Sequence, residues 1–243
     1  MRVRPNLSLF TQTDVDSAAL TVHVAVGHAF GAPGRYTGSV LRGKETVGSF
    51  LVDVDPECRD LQANIDLAGV GSAAYRVSPQ GVVLFHVGSG AGGLAALVGP
   101  IDDQVRREVF DSRKLGKGDI IAVTLLRPGT YRATFGRGGA SLRVAFPDPK
   151  RGIRPMDPVV FEASEDGLQP DGAELQPTQG QLYRLGSAGR LRIELVEPDD
   201  GPGSTDPGGD DSGGGKHRPD RPGDRPGGKR PPKEPIARLI RRP

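Results

Sequence analysis

The stretch that decides the fold runs from Asp119 to Phe146 and reads DIIAVTLLRPGTYRATFGRGGASLRVAF. Ile120, Ala122, Thr124 and Leu126 alternate with Ile121, Val123 and Leu125, a β-branched run suited to a strand with at least one buried face. Pro128 and Gly129 interrupt it, because proline has no N–H to offer a ladder and glycine accepts turn geometry. Thr130 to Phe135 reads as a second strand and Gly136 to Gly139 as a turn. Leu142, Val144 and Phe146 then alternate with Ser141, Arg143 and Ala145 in a third strand. The period is two, which is the period of a sheet.

Working outward, the same pattern predicts strands at Leu7–Phe10, Leu20–Val26, Leu61–Leu67, Tyr75–Val77 and Val82–Val87, with a hairpin of Arg35–Arg42 and Thr46–Asp53 around Gly43 and Lys44. Further strands are predicted at Val159–Glu162, Gln181–Leu185 and Leu191–Glu197. Ala91–Val98 reads as a short helix ended by Gly99 and Pro100. Gln104–Phe110 fits neither pattern, and Asp111–Lys117 reads as loop. Many short strands punctuated by Gly and Pro predict an all-β fold, an antiparallel β-sandwich of cupredoxin or immunoglobulin type. Its units are 1–74 and 75–197, packed together or forming one continuous fold. One internal echo supports two units: Ala32–Pro56 and Arg127–Pro149 share Pro-Gly-x-Tyr, a Gly-containing turn and a strand closing in Asp-Pro. Similar hairpins needing similar turn residues explain it more simply.

Gly118-Asp119, a strand, then Arg127-Pro128-Gly129-Thr130-Tyr131 and a closing strand resemble the C-terminal part of cupredoxins over about 30 residues. That resemblance implies a cupredoxin-like β-sandwich. A blue-copper site needs two imidazoles and a thiolate. Here Tyr131 is followed by Arg132, Ala133, Thr134, Phe135 and Gly136, and Cys58 lies far upstream. The resemblance therefore implies a scaffold without copper, and no cofactor is expected.

The 32 Lys and Arg against 30 Asp and Glu divide unevenly, with ten basic and eight acidic residues from Asp199 onward. The body before them is electrically neutral, which argues against a nucleic-acid face built into the fold. Cys58 is the single cysteine, so neither an internal disulfide nor a multi-cysteine zinc site is available. No leader-like apolar run opens the chain and no stretch of about 18 apolar residues exists, so the expectation is a cytoplasmic protein.

Four features carry candidate chemistry. Gly88, Gly90 and Gly93 make a G-x-G-x-x-G after a strand, with Glu108 twenty residues beyond Gly88, the order in which a dinucleotide fold brings a helix N-terminus to a pyrophosphate. The expected helix is short and no alternation of strands and helices surrounds it. His23 and His28 fall on opposite faces of a continued strand, and His86 lies within an apolar one, where a structural imidazole is the commoner outcome. Asp53, Asp55 and Glu57 alternate as calcium ligands would, without the rest of an EF-hand loop. The tail, residues 198–243, is rich in Gly and Pro and is expected to be disordered. It ends in Ile236, Arg238, Leu239, Ile240, Arg241 and Arg242, an apolar and basic peptide at helical spacing that reads as a docking motif or as a solubilising terminus.

The function expected from these readings is that of a non-catalytic structural or adaptor protein engaging a protein partner or a homo-oligomeric assembly through the tail. The alternatives are a nucleotide-binding or metal-dependent enzyme using Gly88–Gly93 or the histidines, and weak nucleic-acid association through the basic end.

Overall fold

The computed structural model describes residues 12–101, 108–146 and 155–201, and no helix occurs among them. The Leu7–Phe10 strand and the tail peptide expected from the sequence lie outside the described residues.

The strands fall into two series with the same wiring. The first comprises β1 (Val15–Asp16), β2 (Val24–His28), β3 (Gly34–Arg42), β4 (Glu45–Val54), β5 (Gln62–Asp66), β6 (Ala73–Val77), β7 (Val82–His86) and β8 (Leu94–Pro100). The second comprises β9 (Phe110–Asp111), β10 (Ile120–Thr124), β11 (Gly129–Phe135), β12 (Gly138–Val144), β13 (Val159–Ser164), β14 (Gly167–Gln169), β15 (Ala173–Leu175), β16 (Gly180–Leu185) and β17 (Arg192–Pro198). In the first, β3 lies between β4 and β8, β4 runs parallel to β6, β5 runs parallel to β7, and β7 meets β2. In the second, β11, β12, β17, β15, β13, β16 and β10 repeat each of those pairings.

Corresponding residues differ by a constant offset of 95 from β1 to β3. Tyr36 donates its hydroxyl to the Ala32 carbonyl, and Tyr131 donates to that of Arg127. Ser17 bonds Leu191, and Ser112 bonds Ala96. The shared Pro-Gly-x-Tyr is thus part of a repeat of the whole wiring. The boundary expected between 74 and 75 falls inside β6.

The halves are joined in two ways. β2 pairs antiparallel with β10, Val26 opposite Ile121, and these two are themselves corresponding residues. An internal two-fold axis therefore passes between them. The seven-stranded sheet that results has the order β14-β13-β16-β10-β2-β7-β5. The first strands are also exchanged: β1 adds to β17 in the second half, and β9 adds to β8 in the first. Two five-stranded sheets result, β6-β4-β3-β8-β9 and β1-β17-β11-β12-β15.

Two expectations are corrected. The sheets are mixed: four ladders are parallel, because β4 to β8 alternate between two sheets one strand at a time, and the second half does the same from β12 to β17 with the β13–β14 hairpin taking one of the places. This winding has a solenoid-like course in place of a plain antiparallel sandwich. The helix expected at Ala91–Val98 is strand β8, in which Leu94, Ala95, Ala96 and Val98 are all buried between β3 and β9. A short run apolar on both faces has no period by which sequence could tell strand from helix.

The core is one continuous cluster formed from the inward residues of all three sheets. Phe50 of β4 lies 5.9 Å from Phe85 of β7, and Phe85 stacks on Phe110 at 4.8 Å, linking two sheets and both halves. Phe161 stacks on Tyr183 at 4.8 Å in the second half.

Candidate functional site

At one end of the β2–β10 seam, His28 and Asp119 come together across 91 residues of sequence. His28 is the last residue of β2 and Asp119 immediately precedes β10. Because Gly27 pairs with Ile120, the ladder brings the next two positions face to face. His28 Nδ1 lies 2.7 Å from Asp119 Oδ1, and Oδ2 accepts the Gly116 N–H at 2.7 Å. The Asp119 backbone is held as well, its N–H donating to Gly116 O and its carbonyl accepting from Leu185. Asp119 is buried, whereas the His28 ring remains 19% exposed.

Aromatic rings fix the imidazole. Phe30 meets it edge-on at 4.8 Å and Phe110 lies across it at 4.6 Å. Phe110 reaches this position because β9 is exchanged onto β8. His28 lines a cleft of about 270 Å³ together with Glu108, Phe110, Lys114, Gly116 and Lys117. An imidazole whose Nδ1 faces a buried carboxylate has its tautomer and ring orientation set, leaving Nε2 as its other polar atom.

The internal repeat supplies a control for whether the fold needs these groups. At the offset of 95, His28 corresponds to Val123, Asp119 to Val24, Phe110 to Val15, Lys114 to Ala19, Lys117 to Val22 and Glu108 to Thr13. Val24 and Val123 pair in the same ladder that holds His28 and Asp119 at its other end. The same backbone is built with valines at one end of the seam and with a polar cluster at the other. Packing does not dictate the polar version.

The remaining sequence candidates are placed as follows. Gly88–Gly93 connects β7 to β8, so no helix N-terminus follows it and the geometry for cradling a pyrophosphate is absent. Asp66 Oδ1 accepts the Gly88 N–H at 2.8 Å, and at Gly92, with φ of 73°, an added Cβ would strike the Thr21 backbone at 2.8 Å. The glycines serve the turn. Asp55 is committed to Arg76 and to the Glu57 N–H, and among the described residues no three His, Cys, Asp or Glu groups are placed to hold a metal ion. Cys58 follows β4, its N–H bonded to Asp55 O. His23 is buried, and His86 is the last residue of β7. The tail peptide Ile236, Arg238, Leu239, Ile240, Arg241 and Arg242 lies outside the described residues.

A larger hollow of about 580 Å³ lies over the β11–β12 hairpin. Of its charged lining, Asp171 is spent on the Ser141 and Gly172 N–H groups, and Arg137 pairs with Glu165. Among the described residues, no helix is long and apolar enough to cross a membrane.

Compared with protein-family models, with curated proteins and with solved structures, the chain matches none.

Proposed function

We propose that this chain is a non-catalytic scaffold that assembles with a second copy of itself and offers its C-terminal peptide to a further protein. The observation that carries the reading is the outer face of the seven-stranded sheet. Its inward residues include Val26, Ile121, Phe85 and Tyr183, so the opposite face presents Val82 and Leu84 of β7, Ala25 and Gly27 of β2, Ile120 and Ala122 of β10, Leu182 of β16 and Val160 of β13. A sheet face turned to water normally carries polar side chains. This one carries most of them towards its edges, at Gln62, Asn64 and Asp66 on one side and Glu162 and Arg184 on the other, with His86 and Thr124 at the ends of β7 and β10 between them.

A second copy fits this face best. The internal two-fold axis runs through its centre, where Gly27, Ala25 and Ala122 leave it flat. Larger apolar side chains flank that centre on both sides, a shape that is self-complementary under a further two-fold axis. Turning one copy over about an axis parallel to the strands sets the Arg184 edge against the Asp66 edge. Seven strands spaced about 4.8 Å apart and five residues at about 3.3 Å give a footprint of roughly 500 Å². That is at the low end for specific interfaces, so the dimer is expected to depend on concentration. The finer architecture we read as sheets closed face to face as in a β-sandwich. The Phe50–Phe85 contact supports it, as do the two Tyr hydroxyls bonded four residues back, a corner common in Greek-key sandwiches. The cupredoxin likeness rests on the β10 to β12 stretch.

Light scattering across a concentration series tests the assembly. The wild type is expected to pass from monomer to dimer, and Leu84→Lys with Leu182→Lys to remain monomeric. A wild type that stays monomeric at the highest concentration reached would overturn the reading.

A further inference from the structure

The cleft at His28 is independent of the assembly face and invites a separate question: what chemistry would make use of it. Asp119 is closed to any ligand, because one oxygen faces His28 Nδ1 and the other accepts the Gly116 N–H. Asp111 is likewise closed, since both of its oxygens are bonded by Arg113, one of them also by the Arg113 backbone N–H. Two carboxylates of the neighbourhood therefore offer no open oxygen to a cation. The groups that remain are different in kind. With Nδ1 facing Asp119, His28 has Nε2 as its remaining polar atom. Lys114 and Lys117 are exposed on the wall of the cleft, and neither forms an ion pair among the described residues. Gly116 and Gly118 flank Lys117, so no side chain beside it crowds the opening. Three carboxylates line this cleft: Asp111 and Asp119 are engaged as described, the Lys114 charge acts on Asp111, and the field of Glu108 acts on Arg113.

We propose that this cleft binds a small phosphate-type oxyanion, held by the Lys114 and Lys117 ammonium groups with Nε2 of His28 as the third polar contact, and with Asp119 as the residue that orients His28. Charge-assisted hydrogen bonds to anionic oxygen are the strong class, and an oxyanion accepts several at once. The valine-built equivalent at the other end of the seam has none of these donors. The two ends of one ladder thus differ in ligand chemistry while sharing a backbone.

The experiment titrates inorganic phosphate into the full chain and follows the His28 ring signals by NMR, at constant ionic strength set with sodium chloride. Saturable movement of the His28 signals is expected with phosphate, and a response at least tenfold weaker in Lys114→Gln with Lys117→Gln. The second arm transplants the other end of the seam: His28→Val with Asp119→Val should keep the wild-type unfolding midpoint within a few degrees, because the fold already accepts that pair at Val123 and Val24. In that variant, phosphate should no longer raise the midpoint as it does in the wild type. Acetate in place of phosphate separates a carboxylate site from a phosphate one, and an equal or stronger response to acetate would overturn the assignment. So would a His28 response that fails to saturate, one unchanged by the lysine substitutions, or phosphate stabilisation that survives the valine pair.

Discussion

Ser17 and Ser112 give the sharpest test of the repeated architecture. Each stands at a joint where one half lends its first strand to the other. Ser112 donates its N–H to Ala96 O and accepts the Ala96 N–H at Oγ, both at 2.9 Å; Ser17 does the same with Leu191 at 3.0 Å. All four residues are fully or almost fully enclosed, with Ser17 the most open at 1% exposure. Replacing either serine with alanine removes the acceptor and strands an enclosed backbone N–H, which costs about 1–3 kcal/mol. The two sites share no partner, so the double variant should lose the sum of the single losses to within about 0.5 kcal/mol. Denaturant unfolding reads this as a lower midpoint at unchanged slope. The two single variants should fall within a factor of two of each other, because the geometry is the same at both joints. If one substitution is silent while the other costs its full amount, the equivalence of the joints is refuted.

Other outcomes follow from comparing the halves. Gly34 and Gly129 correspond and have φ of 152° and 148°, so alanine is strained at both. An added Cβ at Gly129 would also meet Glu197 O at 2.5 Å, whereas at Gly34 the nearest atom is in the Tyr36 ring at 3.7 Å. Thermal melts should show Gly129→Ala as the more damaging by more than about 1 kcal/mol. In the core, Gln181 and Tyr183 of β16, bonded at 2.7 Å, stand where β7 has Val83 and Phe85. Tyr183→Phe alone takes away the Gln181 partner and should destabilise by about 1–3 kcal/mol, while adding Gln181→Val should recover most of that loss in the same melts. Burial pushes the Tyr131 phenol up to about 12. An unfolded tyrosine ionises near pH 10. The neutral ring's contribution is therefore whole below about pH 10 and lost as pH rises towards about 12. The stability difference between wild type and Tyr131→Phe, followed across that range, should shrink; a constant difference would refute the burial effect.

Most strands were legible because one face of each is buried and the other is not. Alternation at Ile120–Leu126, Leu61–Leu67 and Val82–Val87 placed β10, β5 and β7 to within a residue or two. β8 was not legible as strand, since burial on both sides erased its period. The two-residue strands β1 and β9 hold too few side chains to show a period at all, yet they make the exchange between halves. The His28–Asp119 pair was invisible in either residue's neighbourhood, since 91 positions separate them. A signal did exist: aligning the two Pro-Gly-x-Tyr motifs sets His28 and Asp119 each against a valine. That contrast, more than either polar residue by itself, marks the site.

The exchange of β1 and β9 bears on what the covalent chain is for. A polypeptide severed between 101 and 108 would leave two pieces, each still holding an arm clasped by the other, and they should travel together through a sizing column. A gene encoding only one piece would instead yield a molecule with an arm and no one to take it, and its simplest remedy is a twin, with Val26 lying against Val26.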